Sequence, residues 1–149
     1  MRIEARWRKT WAWAFACVVT ILAACSAPPA EEQLRAAIDA MQAAATERRP
    51  RDFMQWVADD FVGNDGVDGA ALHNLLRAQL LRNKAIGATR GPLDIQVQGE
   101  RATVKFSVVV IGGAGGLLPE RAQSYAITSG WRLEDGEWRI YLAEWEPAL

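Results

Sequence analysis

The chain has 149 residues, half of them hydrophobic, with 17 Lys and Arg against 18 Asp and Glu, one His and two Cys. A formal charge of −1 with mixed signs excludes the basic face that a nucleic-acid binder needs. With one histidine and no cysteine expected to remain free, a metal site would need carboxylates alone, which show no ligand spacing here, so neither a metal nor a cofactor is expected.

Residues 2 to 9 carry Arg2, Arg6, Arg8 and Lys9 against Glu4, and an uncharged run from Thr10 to Ala24 follows. A basic flank, a short apolar run and small residues make a secretory signal. The run is too short to cross a bilayer comfortably, which takes ~20 apolar residues. It ends in Leu22-Ala23-Ala24-Cys25, which resembles the lipobox of bacterial lipoproteins. The resemblance implies cleavage between Ala24 and Cys25, acylation of Cys25, and a domain held on the cell envelope by that lipid. Two or more acyl chains hold stably where one does not. Ser26 rather than Asp follows the cysteine, which by the same resemblance favours the periplasmic face of the outer membrane over the inner membrane.

Removing 24 residues from 149 leaves 125, and removing their net +3 takes the formal charge from −1 to −4. That is enough chain for one domain with a core. Cys17 leaves with the signal and Cys25 is acylated, so the domain is expected to fold without disulfides. Residues 25–30, with Pro28-Pro29, form a tether of roughly 15–20 Å at most. The folded domain is expected over 31–149.

Leu34, Ile38, Met41 and Ala45 recur at helical spacing and predict a first helix from Glu31 to Arg48, closed by Pro50. A second, short helix is predicted over Arg51 to Asp59, with Phe53, Trp56 and Val57 on one side, then an extended step at Phe61-Val62. Asn64-Asp65-Gly66 signals a turn. Asp68 is the expected N-cap of a third helix, Gly69 to Lys84, with Leu72, Leu75, Leu76 and Leu80 on its apolar side. Gly87 to Pro92 breaks that pattern.

From Leu93 the period becomes two. Leu93 to Gln98 and Arg101 to Ile111 flank Gly99-Glu100, a two-residue hairpin turn. The implied register sets Val97 by Ala102, Ile95 by Val104, Gln96 by Thr103 and Asp94 by Lys105. Gly112 to Glu120 reads as a loop with an apolar Leu117-Leu118-Pro119 tip rather than a phosphate cradle. Arg121 to Glu134 and Glu137 to Glu146 close on Asp135-Gly136, a type I′ signal. Pairing outward sets Leu133 by Trp138, Trp131 by Ile140, Ser129 by Leu142, Ile127 by Glu144 and Tyr125 by Glu146.

Helices followed by an antiparallel meander make an α+β pattern. With Ala58-Asp59-Asp60-Phe61-Val62, the Gly-Glu-Arg-Ala-Thr-Val hairpin and Gly-Trp-Arg-Leu-Glu-Asp-Gly-Glu-Trp-Arg-Ile, the chain resembles the NTF2-like (SnoaL-like) superfamily over Glu31 to Glu146. The resemblance implies a cone: three N-terminal helices packed on a curved antiparallel sheet, with a pocket at the open end. Some members are isomerases, dehydratases or epoxide hydrolases and others are binding or assembly modules, so fold alone does not choose.

The candidate sites follow from the register. Glu144 falls on the apolar face with Ile127, Trp131, Trp138 and Ile140, where desolvation would raise its pKa into the range of a general base or acid, with the Tyr125 phenol beside it. A one-residue bulge would turn Glu144 to solvent instead. Trp56, Phe61, Phe106, Trp131 and Trp138 are core aromatics and the expected wall for an apolar ligand. Tyr141, Trp145 and Val109 fall on the outer face, which the superfamily resemblance implies as a homodimer surface. His73 and the pair Asp59-Asp60 read as a boundary histidine and a solvated helix end. The first functional expectation is a non-catalytic envelope lipoprotein binding a small apolar ligand or a partner protein. The alternative is a small-molecule isomerase, dehydratase or hydrolase using Glu144 with Tyr125.

Overall fold

The computed structural model describes residues 28–82, 85–113 and 121–148. The expected lipidation site Cys25, the expected signal segment before it and the expected Leu117-Leu118-Pro119 loop tip lie outside the described residues. Helix α1 is Ala30–Thr46, α2 is Pro50–Met54 and α3 is Gly69–Arg82. The strands are β1 Val57–Val62, β2 Ala85–Arg90, β3 Asp94–Gln98, β4 Arg101–Gly113, β5 Arg121–Glu134 and β6 Glu137–Pro147. They form one curved sheet in the order β1-β6-β5-β4-β2, with β3 also pairing β4.

Helix α1 turns its predicted stripe inward: Leu34, Ala37, Ile38, Met41 and Ala44 are all buried. It ends in a Schellman arrangement, with Arg49 N–H donating to the Ala44 carbonyl at 2.8 Å and Arg48 N–H to the Ala45 carbonyl at 3.2 Å. Arg48 takes the left-handed position at φ 60° that glycine usually fills. Its guanidinium donates to the Leu80 carbonyl near the end of α3, so one residue closes two helices. Asp68 caps α3 as predicted, its carboxylate accepting the Ala71 N–H at 2.8 Å. Of the α3 leucines, Leu80 is buried and Leu72 packs on the core, while Leu75 is half exposed.

Three elements differ from the sequence expectation. The second helix stops at Met54 and residues 57–59 are strand, because Val57, Ala58 and Phe61 are buried in β1 and the Trp56 carbonyl accepts the Ile140 N–H at 2.9 Å. β1 runs parallel to β6, so the sheet is mixed rather than purely antiparallel. Gly87 to Arg90, read as a breaker, belongs to β2, which pairs residue by residue with the distal half of β4. β2 and β3 share one edge of β4. They are separated at Gly91-Pro92-Leu93, where Pro92 has no N–H to give the ladder. A Cβ at Gly91 would lie 2.6 Å from the Ser107 hydroxyl, which would have to rotate away.

The β3–β4 register is the predicted one, with Asp94 opposite Lys105 and Ile95 opposite Val104. Gly99 has φ +62° at the turn, a conformation open to glycine at no steric cost. The core lies between α1 and the concave face. Leu34, Ile38 and Met41 meet Val57, Phe61, Ala102, Val104, Trp131, Trp138 and Ile140.

Candidate functional site: an apolar cavity with a cationic residue in its wall

The β5–β6 pairing decides what faces the inside of the cone. Near the turn it is as predicted, with Leu133 opposite Trp138 and Trp131 opposite Ile140. The next residue of β5, Gly130, then pairs with Leu142, so Tyr141 is an extra residue on β6. That is a β-bulge, and it moves every later side chain of β6 to the other face. Gly130 makes room for it: a Cβ there would sit 2.9 Å from the Tyr141 ring. The ring lies across the outer face with the Arg132 and Arg101 guanidinium carbons 5.4 and 5.8 Å from its centroid, within cation–π range.

The consequence for the candidate residues is direct. Glu144 pairs with Thr128 and is exposed, which corrects the placement on the apolar face expected from an unbroken register. Trp145 replaces it opposite Ile127 and is half-buried on the inner wall, which also removes it from the outer face. The Asn64 side chain holds this segment of β6. Its amide donates to the Trp145 carbonyl at 2.6 Å and its oxygen accepts the Trp145 N–H at 3.1 Å.

A cavity of about 390 Å³ lies between the helices and the concave sheet, within the range of small-molecule sites. α1 contributes Ile38, Met41, Gln42 and Ala45; Phe53, Phe61 and Leu72 close one side. The sheet contributes cross-strand rows. Phe106, Ile127 and Trp145 form one, and Arg90, Val108 and Tyr125 form the next toward the end of β2. Ser129, Trp131, Ile140 and Ala143 lie at the deeper end. Of the expected aromatic wall, Phe61, Phe106 and Trp131 line the cavity. Trp138 is buried in the core and Trp56 is half-buried, and neither is among the lining residues.

Only a few lining side chains carry polar atoms, and most of these are already engaged. The Ser129 hydroxyl accepts the Trp131 indole N–H at 2.9 Å and donates to the Val104 carbonyl at 3.2 Å. Gln42 donates to the Ala88 carbonyl at 3.3 Å. The Tyr125 hydroxyl donates to the Gln123 side-chain oxygen at 2.9 Å, not to Glu144. Arg90 donates through Nη2 to Asp39 at 2.6 Å. No Asp or Glu among the described residues lines the cavity. Among the described residues, no three His, Cys, Asp or Glu gather as a metal site, and no helix is long and apolar enough to cross a membrane.

Outside the cavity, the outer face carries a charged network. Asp60, on β1 and not at a helix end, binds Arg132, with one of its two contacts at 2.9 Å. Arg132 also binds Glu134, which in turn reaches Arg139 at 3.5 Å. This offsets the repulsion of the directly opposed Arg132 and Arg139. The Arg132 hydrogen bonds hold the Asp60 carboxyl below its ordinary value, and Asp60 and Glu134 together raise the Arg132 guanidinium. His73 is partly buried on α3, with its Nε2 lacking a hydrogen bond.

Sequence reading missed Arg90, Trp145, Gln42, Val108 and Val110 as wall residues. Gly130 inside a strand was the available signal for the bulge. Arg90 was hidden by its neighbours Gly91 and Pro92.

No protein-family model matches the chain, and no curated protein sequence matches it. Solved structures do. The chain is similar to the Bdellovibrio bacteriovorus protein Bd1075 at 11% identity and a TM-score of 0.70, over 78% of this chain and 41% of that longer one. It is similar to an NTF2-like protein of unknown function from Pseudomonas putida, at 18% identity and 0.68, over 78% of this chain and 85% of that one. A candidate scytalone dehydratase from Novosphingobium aromaticivorans matches at 13% identity and 0.70, over 80% of this chain and 84% of that one. The chain therefore has the NTF2-like fold, α+β, with its helices packed on a curved mixed sheet.

Proposed function

We propose that this protein is an envelope lipoprotein, anchored through Cys25, whose NTF2-like domain binds a small apolar ligand without transforming it. The observation that carries the binding reading is the cavity of about 390 Å³ walled by Ile38, Phe53, Phe106, Ile127, Trp131 and Trp145. Apolar walls with few convergent polar groups are the usual form of a small-molecule site. The carboxylate-based alternative, an isomerase, dehydratase or hydrolase, loses its support because Glu144 is exposed and no carboxylate among the described residues lines the cavity. Support for self-association through the outer face is reduced to Tyr141 and Val109, since Trp145 turns inward. The anchor rests on the Leu22-Ala23-Ala24-Cys25 motif and on the need for acyl chains to hold a domain at a bilayer.

Two measurements test this. N-phenyl-1-naphthylamine, a neutral apolar fluorophore, should bind one site and take energy from Trp131 and Trp145 on excitation of tryptophan. No saturable binding overturns the ligand reading. Cys25→Ala should move the protein from the membrane to the soluble fraction and remove the acyl mass. Unchanged fractionation of an acylated product overturns the anchor.

A further inference from the structure

Among the described lining residues, Arg90 alone carries a formal charge, and nothing in the wall explains it. The row Arg90–Val108–Tyr125 across β2, β4 and β5 sets it on the cavity face, because Val108 and Tyr125 both line the cavity. Its side chain is only 18% exposed. A guanidinium has five donors. Nη2 donates to Asp39, whereas Nη1 is buried and makes no hydrogen bond. Asp39 itself is 63% exposed, so water screens this pair and it answers little of the cation's charge. A desolvated, under-used cation in an apolar wall is costly unless a partner completes it. No described lining residue offers a carboxylate to do so.

We propose that Arg90 selects the ligand, and that the cavity takes an apolar molecule ending in a single oxyanion, a carboxylate or a sulfonate. This rests on the apolar-ligand reading above and narrows it. The oxyanion accepts from the donors that Asp39 leaves unused, in the charge-assisted geometry that guanidinium groups favour. The apolar body runs toward Ser129 and Trp131. From Tyr125, in the Arg90 row, to Ser129 is four residues of β5, about 13 Å at strand rise. Asp39 orients the guanidinium from the solvent side.

The test uses a matched pair of probes on the purified protein. 1-Anilinonaphthalene-8-sulfonate has the skeleton of N-phenyl-1-naphthylamine with one sulfonate added. Arg90→Met should weaken the sulfonate probe about tenfold or more relative to the neutral probe, equivalent to about 1.4 kcal/mol. Arg90→Lys should recover part of the loss. Equal effects on both probes, or on neither, overturn the proposal. Should Arg90→Met fail to fold, the wild-type protein decides. Decanoate should displace the neutral probe at about one tenth of the concentration needed for 1-decanol at pH 7, and equal potency overturns the proposal. If the neutral probe binds and the anionic preference is absent, only this inference falls. If neither probe binds, the apolar-ligand reading falls with it.

Discussion

At the scale of single residues, the inner wall depends on a few polar atoms satisfied in unusual places. Ser129 is 1% exposed and serves the Trp131 indole and the Val104 carbonyl together. A buried donor left without its acceptor costs about 1–3 kcal/mol. Ser129→Ala should therefore lower stability by about that amount, read from the shift in urea midpoint at constant slope. A free energy unchanged within error would mean that the indole finds another acceptor. Gly63 makes a second point of the same kind. A Cβ there would sit 2.8 Å from the Trp145 ring, and Trp145 is held by Asn64 and packed on the wall. Overfilling a packed site costs typically about 1–3 kcal/mol. Gly63→Ala is expected to destabilise by that order and to shift the indole emission, since the ring must move. The backbone is not the reason: φ at Gly63 is −108°, open to any residue.

At the scale of elements, β1 is the strand with least local support. It pairs with β6 alone, through an irregular parallel ladder, and parallel pairing cannot be set by a tight turn. Phe61 pins its inner side and the Asp60–Arg132 pair pins its outer side. Because the folded pKa of Asp60 lies below its ordinary value, its contribution is present above the unfolded pKa and is lost as pH falls through the lowered folded value. Asp60→Asn should thus lower the melting temperature at pH 7, and the gap to wild type should close as the pH drops below the carboxylate range. A gap independent of pH would show that the pair acts through packing alone. The same pairing explains how Arg132 and Arg139 tolerate facing one another: Glu134 lies between them and Asp60 takes the far side.

At the scale of the molecule, a cavity of about 390 Å³ is volume that the core does not fill. Atoms lining unfilled space lose dispersion contacts, so the empty domain is less stable than a filled one. A ligand that binds only the folded state adds stability by mass action, about 2.7 kcal/mol at a hundredfold excess over Kd. Saturating N-phenyl-1-naphthylamine should accordingly raise the melting temperature in proportion to the logarithm of its concentration. Filling the space by mutation should have the opposite effect on binding. Ala88→Trp, on the β2 wall, is expected to abolish probe binding while the far-ultraviolet spectrum stays that of the wild type.

The amino-acid sequence alone determined the parts of this protein that are local. The stripe of α1, the Asp68 cap and the two tight hairpins with their near-turn registers follow from side-chain period and turn chemistry within about a dozen residues. What lies beyond that reach was decided by tertiary structure. The bulge is decided the same way although Gly130 and Tyr141 lie in one hairpin, because the two meet only once β5 and β6 have paired. Their contact inserts one residue, which exchanges Glu144 for Trp145 on the inner wall. β1 needed β6 as a partner before Val57 and Ala58 became strand, and β2 needed the free edge of β4 before Gly87 to Arg90 did. A strand's identity depends on the neighbour that takes its hydrogen bonds. The cavity, assembled from α1, α2, α3 and five strands, could be seen only once all of them were in place.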